Sequence, residues 1–206
     1  MTALSGAAVI GFFRTGLGTL PPVRIEGRRT FLRPPRLRDW RPWVALRGES
    51  RDFLTPWEPT WPEDALSRAA YLRRLRRQIY EWRQDEGYGF LIFERDSRQL
   101  IGGIGFSNVR RGVAQSASIG YWIGERFARK GLMTDATAAA VAFGFNQLGL
   151  HRIEAACLPH NEASQRLLLR LGFTHEGHAR AYLKIDGDWR DHLLFGLVDT
   201  EFHGGP

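Results

Sequence analysis

Cysteine is almost absent: Cys157 is the single one in 206 residues, which excludes an intrachain disulfide framework and a cysteine-based metal site. Its neighbours, Ala155-Ala156 and Leu158, read as a buried strand, so the thiol is expected to act as a small core hydrophobe rather than a nucleophile. Lysine is nearly as scarce. Lys130 and Lys184 are the only two, so 27 of the 29 basic residues are arginine. These arginines are spread through 24–51 and 68–83 without the interleaved aromatics of a recognisable RNA-binding motif. A net charge of +7 still favours encounter with anions, among them a nucleotide cofactor, a ribosomal surface or an acidic peptide.

No run approaches the ~18 apolar residues of a membrane span. Residues 3–13 look faintly like a secretory leader but lack a basic start and a small-residue cleavage site. The expectation is a cytoplasmic protein without membrane or metal, carrying an irregular arm over 1–22 and one domain over 23–206. No internal repeat or low-complexity run interrupts it. At 43% hydrophobic and 25% charged residues, the chain has globular composition.

Hydrophobic period supplies the coarse architecture. A short strand is predicted over 29–32 and a helix over 38–49. Three prolines within 53–62 exclude regular structure there and leave Phe53, Trp57 and Trp61 around Glu58, a candidate wall of a binding site. Apolar residues at three- and four-residue spacing predict a helix over 64–84. The period then changes to that of strands at 88–93, 99–107 and 114–123, close enough in sequence for an antiparallel meander. A helix over 133–148 ends at Gly149, a strand spans 151–157, and a helix over 162–171 ends at Gly172. A strand starts at Phe173, and two more, 179–185 and 189–197, meet at the hairpin signal Asp186-Gly187. The sum is an α/β domain around one mixed sheet.

The stretch Phe127-Ala-Arg-Lys-Gly-Leu-Met-Thr-Asp-Ala136 places two cations and a glycine where a helix begins. Unpaired amides and the helix dipole favour an anion at such a point, and glycine lets a phosphate approach closely. Gly131 relieving a turn while Arg129 and Lys130 face water is the plainer alternative. Further on, Asn161 is placed to cap a helix whose first turn carries Ser164, and Glu176 follows in the next strand.

Taken in order, Tyr121-Trp-Ile-Gly124, Lys130-Gly-Leu-Met-Thr134, His151-Arg-Ile-Glu-Ala155, His160-Asn-x-x-Ser164, Arg170-Leu-Gly-Phe-x-x-Glu-Gly177 and Gly187-x-Trp-Arg-Asp-His192 resemble the GNAT N-acetyltransferases. The likeness spans about 29–202 and is narrowest with the RimJ/RimL ribosomal-protein-alanine N-acetyltransferases, on the RimJ side. It implies a GNAT fold, a single mixed and largely antiparallel central sheet flanked by helices, with acetyl-CoA as donor. By that resemblance the amides of Arg129, Lys130, Gly131, Leu132, Met133 and Thr134 hold the CoA pyrophosphate. The family pattern there is Gln/Arg-x-x-Gly-x-Gly/Ala; this chain has Ala128 at its first position, Arg129 where glycine is frequent, and Met133 at the last. Asn161 is implied at the pantetheine arm, Ser164 near the sulfur as the catalytic group that steadies or protonates the departing thiolate, and Glu176 as general base. Amides of Tyr121, Trp122 and Ile123 are the candidates for the thioester carbonyl.

An α-amino group, with a pKa of about 7.7–8.0, is roughly one-tenth free base near pH 7, against about one lysine in a few thousand. An N-terminal acceptor therefore needs only modest help from a base, and a thiolate leaves readily. The expected reaction is acetylation of a protein N-terminal amine, foremost an alanine of a ribosomal protein, with ribosome association as a corollary. Trp57, Glu58, Tyr182 and Asp188 are candidate acceptor contacts; Tyr182, Asp188 and His192 rank below Glu176 as catalysts, because Trp189-Arg-Asp-His192 could equally be a packed hairpin. A small amine or a lysine side chain as acceptor, and a CoA-responsive polyanion-binding protein with little turnover, remain alternatives.

Overall fold

The computed structural model describes residues 20–202. The arm expected over 1–22 lies almost wholly outside the described residues. A single open sheet of eight strands runs in the order β1-β2-β3-β4-β5-β6-β8-β7. Its strands are β1 (Ile25–Glu26), β2 (Thr30–Arg33), β3 (Tyr88–Glu94), β4 (Leu100–Arg110), β5 (Ser116–Ile123), β6 (Arg152–Cys157), β7 (Thr174–Ile185) and β8 (Asp188–Val198). Every neighbouring pair is antiparallel except β5 and β6. The flanking helices are α1 (Trp40–Glu49), α2 (Arg51–Leu54), α3 (Arg68–Gln84), α4 (Leu132–Asn146) and α5 (Glu162–Arg170).

Three expectations are corrected. The long helix starts at Arg68 rather than at 64, because Ser67 accepts a hydrogen bond from the Ala70 amide and caps it. Within 53–62 the chain is helical at first: α2 ends at Leu54, and a 3-10 turn, Thr55–Trp57, follows. Pro56 falls in the first turn of that 3-10 segment, where its missing N–H removes nothing. The segment after Phe173 is one strand rather than two. β7 stays paired with β8 through bulges at His175/Gly177 and Ala179/Leu183. The hairpin itself is as expected, with Asp186 and Gly187 at positive φ of 45° and 88° and Ile185 paired with Asp188.

α4 is the helix that holds the parallel pair in place. A parallel connection needs a crossover, and α4 supplies it between β5 and β6. Ala136, Ala140 and Val141 are fully buried, so small side chains let the helix lie close to the sheet. At Gly144 an added Cβ would stand 2.9 Å from Ile153 and 3.1 Å from Phe106. Asp135 anchors the other end of α4. Its carboxylate accepts from the amides of Arg28, Arg29 and Thr30 at 2.9, 3.0 and 2.9 Å, and from the Thr30 hydroxyl at 2.7 Å. That cluster ties the β1–β2 turn to the start of α4. Gly27 is required for it, since a Cβ there would lie 2.4 Å from Asp135 Oδ2.

Asp135→Ala leaves three amides and a hydroxyl without this acceptor and is expected to cost about 2–4 kcal/mol. Denaturant unfolding checks this; a loss below about 0.5 kcal/mol would show that water replaces the carboxylate.

Candidate active site

The β5–β6 ladder pairs Ser116, Ala117 and Ser118 with Arg152, Ile153 and Glu154, and then stops. Beyond Ser118 the strands part. The gap opens into a cleft of about 1080 Å³ lined by 119–123 of β5, 155–157 of β6, the 127–134 junction, the first turns of α5 and the segment Phe53 to Pro59. Two observations fix which amides face the gap. The Gln115 carbonyl accepts from β6-side amides of His151 and Arg152, and the Gly124 amide donates to Ile101 on β4. Backbone groups alternate sides along a strand, so the Ile119 N–H closes the last rung against Glu154, those of Tyr121 and Ile123 point into the gap, and that of Trp122 points away.

Both chains leaving this gap enter helices there. Gly131, at φ +76°, is the N-cap of α4 and has no side chain to cap it, so the amides of the first turn stay open toward the cleft. Arg129 also adopts a left-handed conformation, φ +59°. That is the physical reason glycine suits the position, and the arginine adopts it at a cost of about 1–2 kcal/mol. The Lys130 carbonyl is held by Arg29 Nη1 at 2.8 Å. Arg129 and Lys130 line the cleft on one side and Arg166 and Arg170 of α5 on the other. Neither α5 arginine was given a role from the sequence, although Arg170 opens one of the motifs quoted above. Their signal was the spacing 163, 166, 167, 170, which keeps them on the helix face that also carries Ala163 and Leu167.

Ser164 sits at the junction of the parts. Asn161 Oδ1 accepts from the Ser164 amide at 3.1 Å, which caps α5. The Ser164 hydroxyl lies 2.8 Å from the Tyr121 hydroxyl. Burial pushes the Tyr121 phenol well above its ordinary value, with the Ser164 bond acting the other way. Tyr121 therefore keeps its proton and can donate it to Ser164, which frees the serine hydroxyl for another acceptor. Cys157 lines the same wall, and burial raises its thiol too, with a Ser164 hydrogen bond opposing. It stays a neutral thiol, as a core position requires.

Of the expected acceptor contacts, Trp57 and Glu58 line the cleft, whereas Tyr182 and Asp188 are not in its lining. Glu58 accepts from Arg47 Nη1 and Nη2, each at 2.6 Å, and from Trp61 Nε1 at 2.8 Å. The Arg47 guanidinium lies 4.2 Å from the Trp61 ring centre and 4.8 Å from that of Trp122. Such stacking holds the Glu58 carboxylate in one orientation. Asp188 pairs with Arg190 at 2.8 Å in solvent, and Tyr182 packs its ring against His192. His192 itself is buried and lines the cleft.

The structure does not bring Glu176 to this site. The carboxylate pairs with both Arg152 terminal nitrogens, at 2.8 Å for the Nη1–Oε1 contact, and Arg152 also reaches Glu154 at 3.0 Å. The pair crosses β8 at Gly196, where a Cβ would stand 2.4 Å from Glu176 Oε1. It thus belongs to the closed end of the β5–β6 pair. The Arg152 hydrogen bond holds the Glu176 carboxyl below its ordinary value, a poor state for a base that must take up a proton. Glu176 is a strand tie, and the carry-over of a base to it fails on geometry. Among the described residues no cluster of three His, Cys, Asp or Glu could hold a metal ion.

Residues 29–174 match the family model described as acetyltransferase (GNAT) domain. The chain belongs to the GNAT acetyltransferase family. It is 38% identical to the [ribosomal protein uS5]-alanine N-acetyltransferase of Escherichia coli strain K12 over 187 residues, covering 90% of this chain and 96% of that protein. Mycobacterium smegmatis RimJ, solved with CoA-disulfide, superposes with a TM-score of 0.85 at 31% identity, covering 89% of this chain and 91% of that one. The ribosomal-protein-S5-alanine acetyltransferase of Vibrio fischeri gives a TM-score of 0.80 at 28% identity over 87% of this chain and 98% of its own. This GNAT protein is accordingly an N-acetyltransferase, an enzyme of the acyltransferase class.

Glu176→Gln is expected to leave acetyl transfer within about twofold of wild type while lowering stability by no more than about 1 kcal/mol. A depressed carboxyl contributes stability above the ordinary glutamate range and loses it as pH falls through the folded value. The difference in Tm between the two proteins should therefore vanish toward acid pH. A loss of turnover of about 100-fold would restore the carboxylate as base.

Proposed function

We propose that this enzyme transfers acetyl from acetyl-CoA to the N-terminal amine of a protein, with an N-terminal alanine of a ribosomal protein as the acceptor. The observation that carries the donor is the cleft itself. An uncapped helix N-terminus flanked by Arg129 and Lys130 adjoins the free amides of Tyr121 and Ile123. These groups fit acetyl-CoA: first-turn amides of α4 with the cations suit a pyrophosphate, and an open strand edge suits the amide-bearing pantetheine arm. Bound there, acetyl-CoA supplies an acetyl group activated as a thioester.

Around that group the chain's own residues divide the work. The amides of 130–134 bind phosphate oxygens, and Asn161 keeps its amide nitrogen for the pantetheine while its oxygen caps α5. Amides facing the gap from β5 are the donors available to a thioester carbonyl. The Tyr121–Ser164 couple presents a hydroxyl proton to sulfur. Thiolate is a good leaving group, with a thiol pKa of about 8.5, so this donor has a modest task.

The acceptor side supports an ammonium-bearing chain end. Glu58 is fixed at the cleft by Arg47 and Trp61, with Trp57 beside it and the hairpin residues Leu183, Lys184 and Ile185 as the other wall. A carboxylate there attracts an α-ammonium until its proton is lost. The 38% identity to a uS5-alanine acetyltransferase over nearly the whole chain supports alanine and a ribosomal protein within this class. A ribosomal substrate supports a cytoplasmic reaction.

Thiol release from acetyl-CoA distinguishes the acceptors. Peptides beginning Ala, Ser or Met should be compared with an N-terminally blocked lysine peptide and a panel of small amines. The Ala peptide is expected to turn over fastest and the blocked peptide not at all. A small amine favoured by about tenfold or more in kcat/KM would move the assignment to that class. Ser164→Ala is expected to lower turnover by about tenfold or less, since the leaving thiolate needs little assistance.

A further inference from the structure

With Glu176 tied to Arg152, the amine-acetylating reaction lacks an assigned proton acceptor. His192, on β8, is 3% exposed, yet it lines the cleft together with Glu58 and Ser164. Its Nδ1 stands 3.0 Å from the Arg190 carbonyl. A carbonyl oxygen only accepts, so Nδ1 carries the hydrogen, and in the neutral ring Nε2 holds the lone pair. Nε2 has no hydrogen-bond partner among the described residues and is not one of the sealed, unpartnered polar atoms. The Tyr182 ring, 5.8 Å away and edge-to-face, fixes the plane of the imidazole.

The other groups nearby are each committed elsewhere or chemically unsuited. Both Glu58 oxygens accept from Arg47, and one of them also from Trp61. Lys184, on β7, is a cation without a lone pair. Asp191 pairs with His178 at 3.0 Å and accepts from the Ala181 amide. Arg190 pairs with Asp188. His160 packs its ring against Trp57 and is not among the residues lining the cleft.

We infer that His192 is the general base of this enzyme, a role that rests on the amine-acetylating reading above. The acceptor enters as ammonium and loses one proton to water to reach the free amine. The nitrogen lone pair then forms a C–N bond to the acetyl carbonyl carbon. As the C–S bond breaks, its electron pair leaves with sulfur, which takes a proton from the Ser164 hydroxyl, the serine regaining one from the Tyr121 hydroxyl and that in turn from water. The remaining excess proton on nitrogen passes to Nε2 of His192, and the imidazolium keeps donating through Nδ1 to the Arg190 carbonyl. Water in the open cleft then removes that proton.

Two variants test the assignment on whichever amine the wild type acetylates fastest. His192→Asn keeps an amide donor for the Arg190 carbonyl but removes the base; His192→Ala opens space for an added imidazole. Turnover is expected to fall about 100-fold in both, with acetyl-CoA Kd within about twofold of wild type and His192→Ala recovering about fivefold or more with imidazole. Turnover above about one-third of wild type in His192→Asn would overturn the role. So would a loss accompanied by weakened acetyl-CoA binding or without imidazole recovery, because the ring would then serve packing alone. Failure of the acceptor reading looks different: a small amine outruns the Ala peptide while the His192 effect persists on that amine.

Discussion

Between β5 and β6 the backbone ladder closes over three residue pairs and then opens, and the rest of the site depends on where it stops. Parallel strands of full-length pairing would satisfy the Tyr121 and Ile123 amides and leave no cleft. The separation leaves those groups facing a gap instead. It also sets the ends of both strands beside helix N-termini, α4 after β5 and α5 after β6. Donors from two helices and one strand edge thus converge without any side chain being required to create them. This is the arrangement that open α/β sheets offer to anionic ligands at the carboxyl ends of their strands.

Holding such a gap open needs anchors at its margins, and the structure has one on each side. At the closed end, Arg152 bridges Glu154 and Glu176 across Gly196, joining β6 to β7 over the intervening strand. At the start of α4, Asp135 fastens that helix to the β1–β2 turn while Arg29 holds the Lys130 carbonyl. A third anchor, Arg47 stacked between Trp61 and Trp122, fixes Glu58 at the cleft. Each is built from residues distant in sequence. That separation explains what could be read from the sequence and what could not.

The strands of the meander, the α4 crossover, the Asn161 cap and the Asp186-Gly187 hairpin were legible because each is a local property: period, cap chemistry or turn chemistry. The stretch proposed to bind phosphate was legible for the same reason, and its glycine and cations line the cleft. Glu176 was misassigned because a carboxylate in a strand carries no local mark of which way it turns; Arg152, 24 residues earlier, decides it. His192 was ranked low for a related reason. Its defining partner is a backbone carbonyl, which no residue pattern announces. The family resemblance identified the fold and the chemistry of the enzyme, but a side chain's role still had to be read from its neighbours.

The near-absence of lysine takes on a meaning in an enzyme that transfers acetyl groups to amines. Guanidinium groups stay protonated at neutral pH and offer no nucleophilic nitrogen, so an arginine surface attracts anions without competing for the enzyme's own donor. Lys130 and Lys184, the chain's two lysines, both border the cleft. Lysine self-acetylation is thereby limited to two positions, both at the edge of the cleft proposed as the active site.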